Sequence, residues 1–350
     1  MMPRVARPVG ALAVGLLIAF PFLGPPIYFI HLLAGLYMNV ALASSWAMLG
    51  GYTGYLSLGQ VTFFGIGAYT AAIGLSTYGI SPFLTAPLGG LFSVLLALAI
   101  GYPSLRLRGP YFSVTTLSIA FLAQVAASNT TQTGGGYGIQ LPSMPLPIWQ
   151  TEGVFYLVFM ILAAVVVWSA RRMERSRFGL ALLAIRNDED VAEVFGVDVV
   201  RAKLKAFVLS AFFPGVLGAI WAYQISYIDP HSAFDIGLSI DMLLMAMFGG
   251  AGRWAGPVVG ASVVYLLSQT LVFVIPSELN RVLFGIILVL VVFAMPQGIT
   301  GFVEGLWTKR AERRRSSVSV SGPSNAPAAS AARQPVQEPA ETDHLRVPKS

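Results

Sequence analysis

No cysteine occurs among the 350 residues, which excludes disulfides and thiolate metal sites. His31, His231 and His344 are widely scattered and offer no metal-ligand spacing. Charge is also scarce, at 11% of residues against about 25% in an ordinary globular chain. The chain has no GxxxxGK(S/T) loop to cradle nucleotide phosphates, no HExxH and no GxSxG elbow; Ser57 sits in GYLSLGQ, which lacks the first glycine. Paired carboxylates occur only in one polar loop, where solvation is the ordinary reading. An enzyme reading is left without a catalytic set.

What the chain does have is apolar sequence: 55% hydrophobic residues and a mean hydropathy of +0.71. A transmembrane helix needs about 20 apolar residues. On that basis spans are predicted at 10–30, 32–50, 60–79, 83–103, 111–128, 153–170, 206–224, 238–251, 255–275 and 282–302. The eighth is short, so it is tilted, broken or re-entrant, and both nine and ten spans fit. The predicted fold class is an all-α polytopic transmembrane bundle with both termini cytoplasmic. Arg4 and Arg7 before an apolar run resemble a signal peptide, but Pro21, Pro25 and Pro26 stand where a small-residue cleavage site belongs. The run is read as a retained first helix.

Basic residues orient the spans, because Lys and Arg concentrate on the cytoplasmic side. With ten spans, Arg4, Arg7, Arg106, Arg108, the loop 171–205, Arg253 and the tail all fall on one side. Of the 22 basic residues, Arg281 alone falls outside. The net charge of +6 is therefore a topology signal and not a nucleic-acid footprint. The division expected is a cytoplasmic N-terminus at 1–9, a transmembrane domain at 10–308 and a tail at 309–350. The tail opens with a basic cluster and continues in Ser, Ala and Pro, so it is expected to be disordered. Its cluster reads as a topological stop signal, with anionic membrane lipid as the alternative. The outer segment 129–150, rich in Gly and Pro, is expected to be a structured or mobile loop.

The longest polar interruption, 176–205, carries a helix signal of its own. Asn187 and Asp188 can cap a start, and Asp188, Glu189 and Asp190 place negative charge where the helix dipole favours it. Val191, Val194 and Phe195 fall at i, i+3 and i+4, and Gly196 can end the helix. A short cytoplasmic helix with exposed apolar knobs is expected to dock a partner. Arg186 beside it either meets acidic groups of that partner or is a solvated loop arginine.

Within the spans, charge is expensive, and Asp241 is the main embedded carboxylate. It is either a pathway residue or a rim residue that reaches water. Ser57, Gln60 and Thr62 lie in a glycine-rich stretch and either line a path or serve structure. Gly252, Gly256 and Gly260 form small-xxx-small steps suited to close helix packing. The stretches GGYTGYLSLGQVTFFGIGAY (50–69) and GGAGRWAGPVVGASVVY (249–265) also look alike, a possible parallel internal repeat.

Several segments, in order, resemble one family: GYTGYLSLGQVTFFGIGAYTAA (51–72), RLRGPYFSVTTLSIAF (106–121), TGGGYGI (133–139), the loop from Arg177 to Ala219, and FGGAGRWAGPVVGA (248–261). They are similar to permease subunits of branched-chain amino acid ABC importers of the LivM type. The resemblance covers roughly residues 35–300. It implies a second related permease, two cytoplasmic ATPase subunits that use ATP and Mg, and an external solute-binding protein. No cofactor is expected in this chain. It also implies that 188–196 is the coupling helix, a version of the E-A-A-x-x-x-G loop, with Ala192 and Gly196 retained and Val191 in place of the central small residue. Gln60 stands where the family often has histidine. Relatives also carry urea or short amides, so the resemblance leaves the substrate open. The competing expectation is an ion-coupled secondary transporter or channel that works without ATP.

Overall fold

The computed structural model describes residues 15–274 and residue 285. The expected tenth span and the segments 1–9 and 309–350 lie outside those residues. The chain enters through a short helical run that ends in a 3-10 turn at Phe20–Leu23. Gly24 takes a left-handed conformation, and α1 then runs over Ile27–Thr53 behind Pro26. The expected break between spans at residue 31 is thus displaced to Gly24–Pro26. Proline fixes its own φ and disfavours helix in the residue before it, so the Pro25–Pro26 pair ends one helix and opens the next.

α2 (Gln60–Tyr78), α3 (Pro82–Ser104) and α4 (Pro110–Asn129) follow, the last two opening on proline at the first helical position. α5 covers Ile148–Glu174, α6 Arg177–Asn187, α7 Glu189–Val194 and α8 Val199–Ile225. The stretch 171–205 is therefore not one loop around one short helix. α5 extends into it, α8 begins within it, and α6 occupies much of the rest. α9 (Pro230–Ala233) and α10 (Ile236–Gly249) form the eighth segment in two pieces, and α11 spans Ala255–Val274.

Among the described residues, six segments are long and apolar enough to cross a bilayer: α1, α3, α4, α5, α8 and the α9–α10 unit. The protein is a helical, multi-pass membrane protein. α2 is not among the six, but it is enclosed by its neighbours and need not satisfy lipid.

α8 is the most enclosed of the six and packs on α1, α2 and α3. Its contacts are made backbone to backbone. A Cβ on Gly67 or Gly218 would run into the carbonyl of Gly215 or Phe64, and one on Gly215 would lie 2.7 Å from the carbonyl oxygen of Gly89. Lipid tails are as apolar as leucine, so helices in a bilayer gain by close approach and not by burying apolar surface. α1 forms the second centre, against α5, α10 and α11.

The segment 129–150 is structured. It holds two 3-10 turns and a strand, β1 (Ile139–Gln140), paired antiparallel with β2 (Tyr227–Ile228) in the register Ile139 to Ile228.

Candidate functional site

α7 is built from its two ends. Asp188 Oδ1 accepts from the backbone N–H groups of Asp190 and Val191, at 2.9 and 3.0 Å. Asn187, the other expected cap, is instead the last residue of α6. At the far end Val197 N–H donates to the Ala192 carbonyl at 3.1 Å and Gly196 N–H to that of Glu193 at 2.9 Å. This reciprocal closure needs a left-handed residue, and Gly196 supplies φ +83° without a Cβ penalty. Ala192 turns inward and is buried, whereas Val191, Val194 and Phe195 are 50%, 86% and 84% exposed. Val191, at the centre of the motif, thus points away from the protein body.

The acidic side of α7 is fastened to the body. Glu189 Oε1 accepts from Lys203 Nζ at 2.9 Å, and Lys203, in the first turns of α8, is only 2% exposed. Lys203 Nζ also donates to Tyr55 Oη at 3.0 Å and lies 4.2 Å from the centre of the Tyr55 ring. Arg108, between α3 and α4, meets Asp190 at 2.8 Å and Glu189 at 3.7 Å. These carboxylates were expected to be solvated; Glu189 is instead the counter-ion of a buried ammonium, which would be costly unpaired. Arg186 is exposed in the last turn of α6. Its Nη1 donates to the Gly51 carbonyl at 2.7 Å, an acceptor in the last turn of α1, where a cation also suits the helix dipole. A cleft of about 570 Å³ opens among Tyr55, Arg108, Arg186 and the residues from Asp188 to Asp190.

Tyr55 belongs to the connector 54–59 between α1 and α2, which is clamped on several sides. Trp46 Nε1 donates to the Ser57 carbonyl at 2.8 Å, Leu58 N–H to Thr116 Oγ1 at 3.2 Å, and Ser113 Oγ to the Leu56 carbonyl at 2.6 Å. Just beyond it Val61 N–H donates to Ser239 Oγ of α10 at 2.9 Å. Ser57, Gln60 and Thr62 are fully buried here. Gln60 Nε2 donates to Ser210 Oγ of α8 at 3.1 Å, but Gln60 Oε1, Ser57 Oγ and Thr62 Oγ1 have no partner among the described residues. Pro214 lies inside α8 and lacks the N–H that would bond the Ser210 carbonyl four residues earlier. Buried polar atoms are normally satisfied, so this niche is suited to water or a polar solute.

Asp241 stands apart from that niche, exposed on α10. Of the three glycines expected to pack helices, Gly256 and Gly260 do so: a Cβ on either would run into the carbonyl of Gly250 or Met245. Gly252 lies in the turn before α11, where a Cβ would be 2.8 Å from Arg186 Nη1; the third packing glycine is Gly249, against Gly256. The two glycine stretches meet each other, with Gly51 against the carbonyl of Ala251.

Membrane-crossing helices packed on glycine define a polytopic helical membrane protein. A family described as the permease component of branched-chain amino acid transport systems matches residues 28–292. The chain belongs to this ABC-transporter permease family. It is 31% identical over 297 residues to the high-affinity branched-chain amino acid transport permease LivM of Salmonella typhimurium, covering 77% of this chain and 67% of the relative. The LivM of Escherichia coli is 30% identical with the same coverage, and a probable LivM of Methanocaldococcus jannaschii is 23% identical, over 60% and 67%. No solved structure matches the chain.

Proposed function

We propose that this chain is the membrane-spanning subunit of an ATP-driven importer that moves branched-chain or related amino acids into a bacterial cell across the inner membrane. Relatives named as branched-chain amino acid permeases support the substrate class. In this reading the chain has nine or ten spans, both termini cytoplasmic and a tail at 309–350 outside the membrane domain. It works with a second related permease, two cytoplasmic ATPases that use ATP and Mg, and an external solute-binding protein. The observation that carries the reading is the outward apolar face of Val191, Val194 and Phe195 on a helix capped at both ends.

Such a face enters an apolar groove as a helix-in-groove contact. The helix then acts as a handle. Movement of α7 is passed through Glu189 to Lys203 on α8 and to Tyr55 on the connector, one turn of chain from Ser57 and Gln60. Ser57, Gln60 and Thr62 lie on the translocation path in this reading, and Asp241, exposed on α10, is a separate candidate for it. A partner shifts the inward- and outward-facing states only by its difference in binding energy between them.

Phe195→Asp is expected to abolish uptake in whole cells and partner-stimulated ATP hydrolysis in vesicles, with normal membrane insertion. Unchanged uptake would remove α7 from the docking role. Transport by the purified chain alone would favour an ion-coupled carrier or channel.

A further inference from the structure

At the C-terminal end of α5, Trp168, Arg171, Arg172 and Arg175 follow one another at i, i+3, i+4 and i+7, which places them on one helical face. Together with Ser176 they line a cavity of about 440 Å³. Several other cations of the polar stretch meet a partner within the protein. Arg108 and Lys203 meet carboxylates, as does Arg201 with Asp198, and Arg186 meets a carbonyl. Among the described residues no carboxylate pairs with Arg171, Arg172 or Arg175; Arg171 instead stacks over Trp254, 5.1 Å from the ring centre.

We propose that this corner binds the phosphate headgroup of an anionic phospholipid. A single arginine would suffice to complement the α5 dipole, and a topology signal needs charge without convergence. Three guanidiniums in one concavity repel one another and present planar donor sets suited to phosphate oxygens. Ser176 adds a third contribution. It is the N-cap of α6, so the positive end of the 11-residue α6 dipole opens onto the same corner. Trp168, 66% exposed and one turn deeper along α5, marks the depth of the bilayer boundary, where tryptophan rings settle at headgroup level. The occupant is therefore a lipid of the leaflet that faces the cytoplasm. That leaflet assignment rests on the orientation given under the proposed function.

The test is native mass spectrometry of the full chain in detergent with added phosphatidylglycerol or phosphatidylcholine. The wild-type protein is expected to retain phosphatidylglycerol preferentially, and R172Q/R175Q to lose retention by about fivefold for each arginine removed. R172K/R175K, which keeps the charge without the planar fork, is expected to lose less, and its unaltered thermal midpoint controls for folding. Equal retention of phosphatidylglycerol by wild type and R172Q/R175Q, or equal retention of the two lipids, would overturn the site. Displacement of the lipid by millimolar inorganic phosphate would make it a free-phosphate site instead. Because the chain lacks cysteine, R177C gives a single label for the leaflet. Labelling only after permeabilisation supports the inward side, and labelling of intact cells would overturn the leaflet without touching the lipid measurements.

Discussion

Two apolar surfaces of this molecule follow opposite rules. Where α2, α3 and α8 meet, the contact is made by Gly67, Gly89, Gly215 and Gly218, and backbones touch. On α7, six residues long, and its cap Phe195, the apolar surface consists of large side chains left exposed. Exposed leucines on α3 and α4 are explained by lipid, which is their solvent. α7 has no such solvent in the proposed arrangement, since it lies in the most polar stretch of the chain. In a bilayer protein, small residues mark contacts already made, and large apolar residues outside the bilayer mark contacts still to be made.

The largest expected effect breaks the first surface. Gly215→Val inserts a branched side chain into the carbonyl of Gly89 and the hydroxyl of Ser93, and should cost about 3 kcal/mol or prevent accumulation of folded protein. A thermal midpoint in detergent unchanged from wild type would mean that α3 and α8 have room to separate. A smaller effect is expected at the join between the two surfaces. Lys203→Met leaves Glu189 without its counter-ion and should cost about 2 kcal/mol, because Glu189 keeps partial access to water and to Arg108. E189Q/K203M should recover most of that stability but not the coupling of ATP hydrolysis to uptake. If the double variant transports normally, α7 is not linked to the connector through this pair. The smallest effect on stability is expected for Asp241→Asn, within about 0.5 kcal/mol as for other exposed positions. Loss of uptake with normal assembly would place Asp241 on the path, and normal uptake would return it to the rim.

Much of this architecture was legible because it is local. Long apolar runs placed most helix ends to within a few residues. Asp188 as a cap, the valine spacing and Gly196 announced α7, since caps and periodicity act over four to six residues. Three kinds of feature were not legible. The Pro25–Pro26 break was overridden by counting to a full bilayer crossing. α6 was hidden because its 11 residues are too few to cross a bilayer and the charges on either side read as loop. Long-range partners left no local trace: Arg186 finds a carbonyl 135 positions away, and Lys203 finds Tyr55 across 148. Likewise small-xxx-small spacing put Gly252 in a helix face, whereas Gly249, outside the pattern, makes the contact. Spacing shows which residues share a face, but not which face another helix will choose.

The double closure of α7 has a further consequence. Six residues are too few to hold a helix in water by themselves, because the first turn is costly to nucleate. Here Asp188, the Gly196–Val197 closure and the buried Ala192 keep it ordered before any partner arrives. Association then costs little conformational entropy, and a displacement at one end reaches the other without being absorbed by fraying. In the proposed arrangement the segment is a stiff pushrod and not a tether, able to transmit compression as well as pull.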